Sequence, residues 1–269
     1  MTSDIPSAER ARPADDAGLG AAGGEPPIRL TGVTKRYSGR GNRAIHALRG
    51  IDLVIREPGF YAIMGPSGSG KSSLLHLLAG LDQPDEGSVE VAGSRLETMS
   101  EAELTIFRRR RVGIVFQQFN LIPTMTALEN VALPGMLDGL DRAEQRRRGE
   151  ALLTSLGLQD RAEHRPDAMS GGEQQRAAIA RALLFAPPVL LADEPTGNLD
   201  SHSSDQLWTL LEELAAQRRM TVIMVTHEPA AAIHCREVFF LRDGRIAGAF
   251  NTEHHDAAEL ATRAQQLGR

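Results

Sequence analysis

The sequence predicts an α/β fold: a mostly parallel sheet covered on both faces, an antiparallel β side sheet and an α-helical subdomain. Three observations carry this. Short apolar runs of strand length, at 59–64, 189–192 and 220–226, alternate with helical patterns along the chain. Such unbroken runs belong to parallel strands buried on both faces. Asp243-Gly244 sits between two strand-like segments, a strong hairpin turn signal. The apolar run at 59–64 leads into Gly65-Pro66-Ser67-Gly68-Ser69-Gly70-Lys71-Ser72 and then into an apolar helix, the strand, loop and helix order of a phosphate-binding loop.

The elements follow in order. Residues 1–26 are rich in Ala, Gly, Pro and acids without apolar periodicity, and are expected to form a disordered leader. The folded domain is expected over 27–252. Segments 28–37 and 46–55 read as strands around a Gly/Ser/Arg turn, 72–81 as the helix after the phosphate loop, and 88–92 as another strand. Residues 98–167 turn to helical patterns rich in Glu, Arg and Leu, broken at 113–119 and again at 120–126 with its Pro123. A helix over 171–186 is stopped by Pro187-Pro188. An amphipathic helix over 204–218 precedes the strand at 220–226, and strands at 238–241 and 245–250 flank the Asp-Gly turn. The antiparallel pieces at both ends are expected to make the side sheet. The polar tail, 253–269, holds Glu253-His254-His255-Asp256, a pattern able to chelate a metal but read here as ordinary exposed histidines.

Composition narrows the function classes. With 269 residues, 41% of them hydrophobic, the chain can bury one large core or two modest ones. A net charge of −5 gives no field that would draw the whole protein to nucleic acid or an anionic membrane. The arginine runs at 108–111 and 146–148 lie in Glu-containing helical stretches, so a solvated or ion-paired face is expected and no nucleic-acid partner. The lone Cys235 excludes an internal disulfide and reads as a small buried side chain. No segment reaches the ~20 apolar residues of a membrane span, and the N-terminus lacks a signal-peptide core. A cytosolic location is expected, with any membrane role supplied through a partner.

Only two of the thirty basic residues are lysines, and one is Lys71. A chain of this length matches G-x-x-x-x-G-K-[ST] by chance roughly once in a hundred. A slim ammonium reaches between β- and γ-phosphates, where a planar guanidinium would crowd the loop. The motif therefore implies a nucleoside triphosphate. Ser73 adds a further hydroxyl for the phosphates. Val189-Leu190-Leu191-Ala192-Asp193-Glu194 is an apolar strand with two carboxylates at its C-terminal end, where ligands of parallel sheets bind. Asp193 suits a role in holding Mg²⁺, and Glu194 the role of general base toward water. Met169-Ser170-Gly171-Gly172-Glu173-Gln174-Gln175-Arg176 opens a helix with small residues, whose backbone N–H groups favour an anion.

In this combination the chain resembles the nucleotide-binding subunit of an ATP-binding-cassette (ABC) transporter, over about 28–250, with a P-loop NTPase core. The resemblance implies ATP hydrolysis with Mg²⁺, and it assigns roles. Ser170, Gly171, Gly172, Glu173 and Gln174 match the family's signature sequence. Gln117, after a strand read at 113–116 and with Gln118 beside it, matches the glutamine loop that touches Mg²⁺ and water and senses the membrane subunit. Asp200, in Gly197-Asn198-Leu199-Asp200, matches the loop that crosses the dimer interface. His227, in Val225-Thr226-His227-Glu228, matches the switch histidine on the γ-phosphate, and Tyr37 the aromatic that stacks on adenine. Met169 stands where the signature usually has Leu, a tolerable apolar exchange.

One phosphate loop and one signature imply two copies. In this family the signature of one subunit caps the nucleotide held by the other, so a homodimer in ATP is expected, peripheral to the inner membrane face through an integral-membrane permease. The stretches 63–70, 121–131 and 193–200 resemble the macrolide-export and lipoprotein-release subgroup, with related peptide exporters and the cell-division ATPase. There, ATP drives export, lipoprotein release or a mechanical stroke. The alternatives are an importer ATPase, for which the short stretch after Phe250 leaves no regulatory domain, and a non-transport cassette such as a cell-division regulator.

Overall fold

Strand β3 (Gly59–Met64) is the hub of the main sheet, paired in parallel with β8 (Thr221–Thr226) on one side and β9 (Glu237–Arg242) on the other. The computed structural model describes residues 25–38 and 44–252, with Glu259, Thr262 and Arg263. The leader up to residue 24 and the Glu253-His254-His255-Asp256 pattern lie outside the described residues. The chain runs β1 (Ile28–Ser38), β2 (Ala44–Ile55), β3, α1 (Lys71–Leu78), β4 (Glu86–Val91), β5 (Ser94–Arg95), α2 (Glu101–Arg110), β6 (Val112–Val115), α3 (Ala127–Leu137) and α4 (Arg142–Ser155). It continues through α5 (Gly171–Ala182), β7 (Val189–Asp193), α6 (Ser201–Arg218), β8, β9 and β10 (Arg245–Asn251).

The six-stranded sheet has the order β10-β9-β3-β8-β7-β6, and only its β10 edge is antiparallel. A separate four-stranded antiparallel sheet has the order β2-β1-β4-β5. This corrects one expectation. The C-terminal hairpin does not join the N-terminal strands in a side sheet; β9 pairs with β3 and extends the main sheet. Within residues 98–167 the strand read at 113–116 is present as β6, one residue earlier at each end, and it belongs to the main sheet beside β7 and not to the helical region around it.

Alternation explains why the central strands read as continuous apolar runs. Phe60, Ala62 and Met64 of β3 pack with Leu190, Val222 and Phe240 on one face, under α3 to α6. Tyr61 and Ile63 pack with Leu191, Val225 and Leu241 on the other, against α1 and the antiparallel sheet. Each strand thus feeds two cores, and each fully buried Val, Ile or Leu side chain stabilises by ~1.5–3 kcal/mol. Cys235 is buried as expected, and burial pushes its thiol pKa up. The arginine runs are ion-paired: Arg109 and Arg110 with Asp138 at 2.7 and 2.6 Å, Arg147 and Arg148 with Glu144 at 2.7 and 2.5 Å.

Asn130 pins the start of the helical region. Fully buried, it accepts from Ile122 N at 2.7 Å and donates from Nδ2 to the carbonyls of Ile122, Met125 and Thr126 at 3.1, 3.2 and 3.0 Å. Asn130→Ala leaves several buried backbone groups unpaired and is expected to cost about 2–3 kcal/mol, read as a lower urea midpoint.

Candidate nucleotide site

The parallel order β9-β3-β8-β7-β6 brings the C-terminal ends of β3, β7 and β8 together. The phosphate loop, 65–70, follows β3, Glu194 follows β7 and His227 follows β8. The loop is shaped by close backbone contacts. A Cβ on Gly65 would overlap the carbonyl oxygen of Leu241, and one on Gly70 that of Ala47, while Gly70 also holds φ at 107°. Ser69 N donates to Pro66 O at 3.2 Å, and Gly244 N of the β9–β10 turn donates to Ser69 O at 3.0 Å. Gly70→Ala is therefore expected to deform the loop and remove measurable binding of a fluorescent ATP analogue, with the chain still folded by circular dichroism.

Lys71 begins α1 and folds back over the loop. It is 7% exposed, and its Nζ donates to Gly65 O at 2.9 Å and Pro66 O at 3.1 Å. Burial lowers its pKa, opposed by the charges of Glu194 and Asp193. None of the ion pairs found among the described residues includes Lys71, so its charge faces only carbonyl oxygens at hydrogen-bond distance. A buried ammonium in that state is stabilised by an incoming anion.

Across the loop, Ser72 Oγ lies 3.5 Å from Asp193 Oδ1. Burial raises the Asp193 pKa, opposed by the Ser72 hydrogen bond and reinforced by the Glu194 charge. Glu194 has a left-handed backbone, φ 44°, and its N–H donates to Val225 O at 2.9 Å. A non-glycine residue so placed is strained and persists because its surroundings fix it. His227 Nδ1 is 3.2 Å from Glu194 Oε1, so the two residues meet at the mouth of the site.

Gln117 follows β6 and reaches the same loop. Asn198 Nδ2 donates to Gln117 O at 2.9 Å, and the Gln117 side chain packs on Gly197. Arg181 of α5 braces the following turn, donating to Asn120 O at 2.5 Å and Phe119 O at 3.0 Å. One contact was not anticipated from the sequence: Thr196, 2% exposed, donates to Glu228 Oε1 at 2.5 Å and ties the Glu194 loop to the His227 loop.

Ser170 caps α5 in a reciprocal capping box: Glu173 N donates to Ser170 Oγ at 3.3 Å and Ser170 N donates to Glu173 Oε2 at 2.8 Å. Arg161 holds Glu173 at 2.8 Å, and Gln174 Nε2 donates to Met169 O at 3.1 Å. Gly171 and Gly172 continue the helix start beside Leu199 and Ser203. Asp200 caps α6, accepting from Ser203 N at 2.9 Å and Ser203 Oγ at 2.7 Å. Among the described residues no hydrogen bond or ion pair joins 170–174 to 65–73. Tyr37, near the end of β1, bonds Asp82 through its hydroxyl at 3.0 Å.

A sequence model of the family described as ABC transporter matches residues 48–197. The chain belongs to the ABC transporter family. It is an ATP-binding cassette subunit with ATPase activity. An ABC transporter ATP-binding protein of Methanocaldococcus jannaschii is 49% identical over 224 residues, covering 83% of this chain and 99% of that one. The lipoprotein-releasing system ATP-binding protein LolD of Ruegeria pomeroyi is 45% identical over 223 residues, covering 83% and 98%. The macrolide export ATP-binding/permease protein MacB of Nitrosomonas europaea is 45% identical over 234 residues, 87% of this chain but only 35% of that longer protein. Among solved structures, the dimeric post-hydrolysis state of the cassette MJ0796 bound to ADP and Pi has TM-score 0.77 and 41% identity, covering 85% of this chain and 100% of that one. The ABC ATPase fold follows from these likenesses.

Proposed function

We propose that the chain hydrolyses ATP between two copies of itself and passes the resulting motion to an integral-membrane permease. The observation that carries this reading is the anion-demanding Lys71 beside the Glu194–His227 contact, with the Ser170 helix start not joined to it. Residues 65–73 cradle the triphosphate with backbone N–H groups and the hydroxyls of Ser72 and Ser73. Glu194 takes the proton of the attacking water. His227, in contact with that carboxylate, orients it and donates toward the γ-phosphate. Tyr37 offers a flat ring for the base.

The donors present suit Mg²⁺. Ser72 Oγ and Asp193 Oδ1 are hard oxygens on neighbouring elements, and a carboxylate penalised by burial gains from a facing cation. Gln117, tied to the Gly197–Asn198 turn, is the third residue for that position. When bound, the ion neutralises charge on the phosphate oxygens.

Ser170–Gln174 and Asp200 serve a second copy. The capping box leaves the helix start preformed and its backbone donors outside the chain's own phosphate loop, as an anion site for a neighbour's γ-phosphate requires. The dimeric cassette structures it resembles support this arrangement. Similarity to LolD and to the cassette part of MacB supports export, lipoprotein release or mechanotransmission as the work done, at the cytoplasmic face of the membrane. Among the described residues no helix is long and apolar enough to cross a membrane.

Ser170→Glu tests the paired site. The added carboxylate opposes the γ-phosphate, so ATPase activity is expected to fall about a hundredfold or more, while each monomer keeps its affinity for an ATP analogue. Normal turnover in this variant would rule the paired site out.

A further inference from the structure

The second of the two lysines, Lys35 of β1, is only 9% exposed. Its Nζ donates to Asp82 Oδ1 at 2.6 Å and to Gln83 O at 2.8 Å. Asp82 Oδ2 accepts from the Tyr37 hydroxyl at 3.0 Å. The same ammonium lies over the Tyr37 ring, 5.3 Å from its centroid. Alternation along β1 places residues 35 and 37 on one face. Asp82 reaches them because Gly80, at φ 62°, turns the chain after α1, and the segment is then sewn to β1 by Asp85 N to Thr34 O at 3.0 Å and Arg36 N to Asp85 Oδ2 at 2.6 Å.

The Asp82 carboxylate is thus a bridge with each oxygen committed. Burial opposes its ionisation, but hydrogen bonds from Lys35, the Gln83 N–H and Tyr37, with the Lys35 charge, outweigh that and hold its pKa below the usual range. A tyrosine left to water would sample several rotamers. Here the half-buried ring is held by its hydroxyl and by one face.

We propose that Lys35 and Asp82 are positioning residues for nucleotide binding: together they fix the Tyr37 ring so that its opposite face stands ready for a purine base. The inference rests on the reading of Tyr37 as the base-stacking residue. Because Asp82 hangs from the C-terminal end of the helix whose N-terminus carries Lys71, one element sets the spacing between base shelf and phosphate cradle.

Steady-state ATPase measurements on the full chain test this. Tyr37→Phe and Asp82→Asn are each expected to raise the KM for ATP about threefold to tenfold, with kcat kept within about twofold and competition by inorganic tripolyphosphate unchanged. Tripolyphosphate carries the charge but no base, so a general loosening of the fold would weaken both ligands alike. An unchanged KM in both variants, or equal losses for ATP and tripolyphosphate, overturns the proposal. Tyr37→Ala separates it from the reading beneath. If Tyr37→Ala also leaves the KM unchanged, Tyr37 is not the base shelf and both ideas fall. If Tyr37→Ala raises the KM while the two milder variants do not, only the positioning role falls.

Discussion

Replacing Glu194 with Gln is expected to lower ATP turnover about 10²–10⁴-fold, the usual share of a general base, and to leave a dimer that elutes as such in ATP and Mg²⁺. The amide keeps the side chain's shape, so the 3.2 Å contact with His227 can persist. It also accepts the φ of 44° no worse than Glu does, so no new strain enters. What is lost is the ability to take a proton. If the γ-phosphate is a ligand shared by two copies, an uncut nucleotide holds them together, since whatever binds only the closed form stabilises it. Size-exclusion chromatography with light scattering reads the outcome. A variant that stays monomeric with ATP, or that turns over normally, would break the link between Glu194 chemistry and pairing.

The second large effect is expected at Lys71. Lys71→Ala removes both the cation proposed to face the triphosphate and the two bonds, at 2.9 and 3.1 Å, that tie α1 back to Gly65 and Pro66. Nucleotide affinity and turnover should each fall about a hundredfold or more, because the site loses a charge that acts where little water screens it. Lys71→Arg should not restore function, since a planar fork cannot follow the ammonium's path between the loop carbonyls. Titration with a fluorescent ATP analogue distinguishes this from Glu194→Gln, which is expected to bind well and cut poorly.

Much of the site was legible because its residues stand in contiguous runs at the ends of strands. Gly65 to Ser73, Asp193-Glu194 and the His227 turn each carry their own local pattern, and a parallel sheet gathers such ends without further instruction. The partner sheet of the C-terminal hairpin was not legible. An Asp-Gly turn between apolar strands reads the same whichever sheet it joins, and the pairing of β9 with β3 joins segments far apart in sequence. Strand β6 was legible to within one residue, as 113–116 against Val112–Val115, but its place beside β7 was not, since that pairing also joins segments far apart in sequence. Helix ends also moved. Helix α1 closes at Leu78, before Gly80 with φ 62°, and α5 closes at Ala182, with Ala186 at φ 46° before the prolines. The links from Thr196 to Glu228 and from Lys35 to Asp82 join residues 32 and 47 positions apart, and no local periodicity marks such pairs. The scarcity of lysine was the one hint that Lys35 mattered.

The hydrogen bond from Gly244 N to Ser69 O, and the seat of Gly65 against Leu241, have a consequence for biosynthesis. A nascent polypeptide that has emerged only through α5 already displays the whole glycine-lysine segment, yet lacks the late turn that keeps it in shape. The nucleotide can therefore act as a folding aid only once Leu241 and Gly244 have emerged, and a ribosome stalled before Leu241 should release a product that neither captures ATP nor is rescued by it.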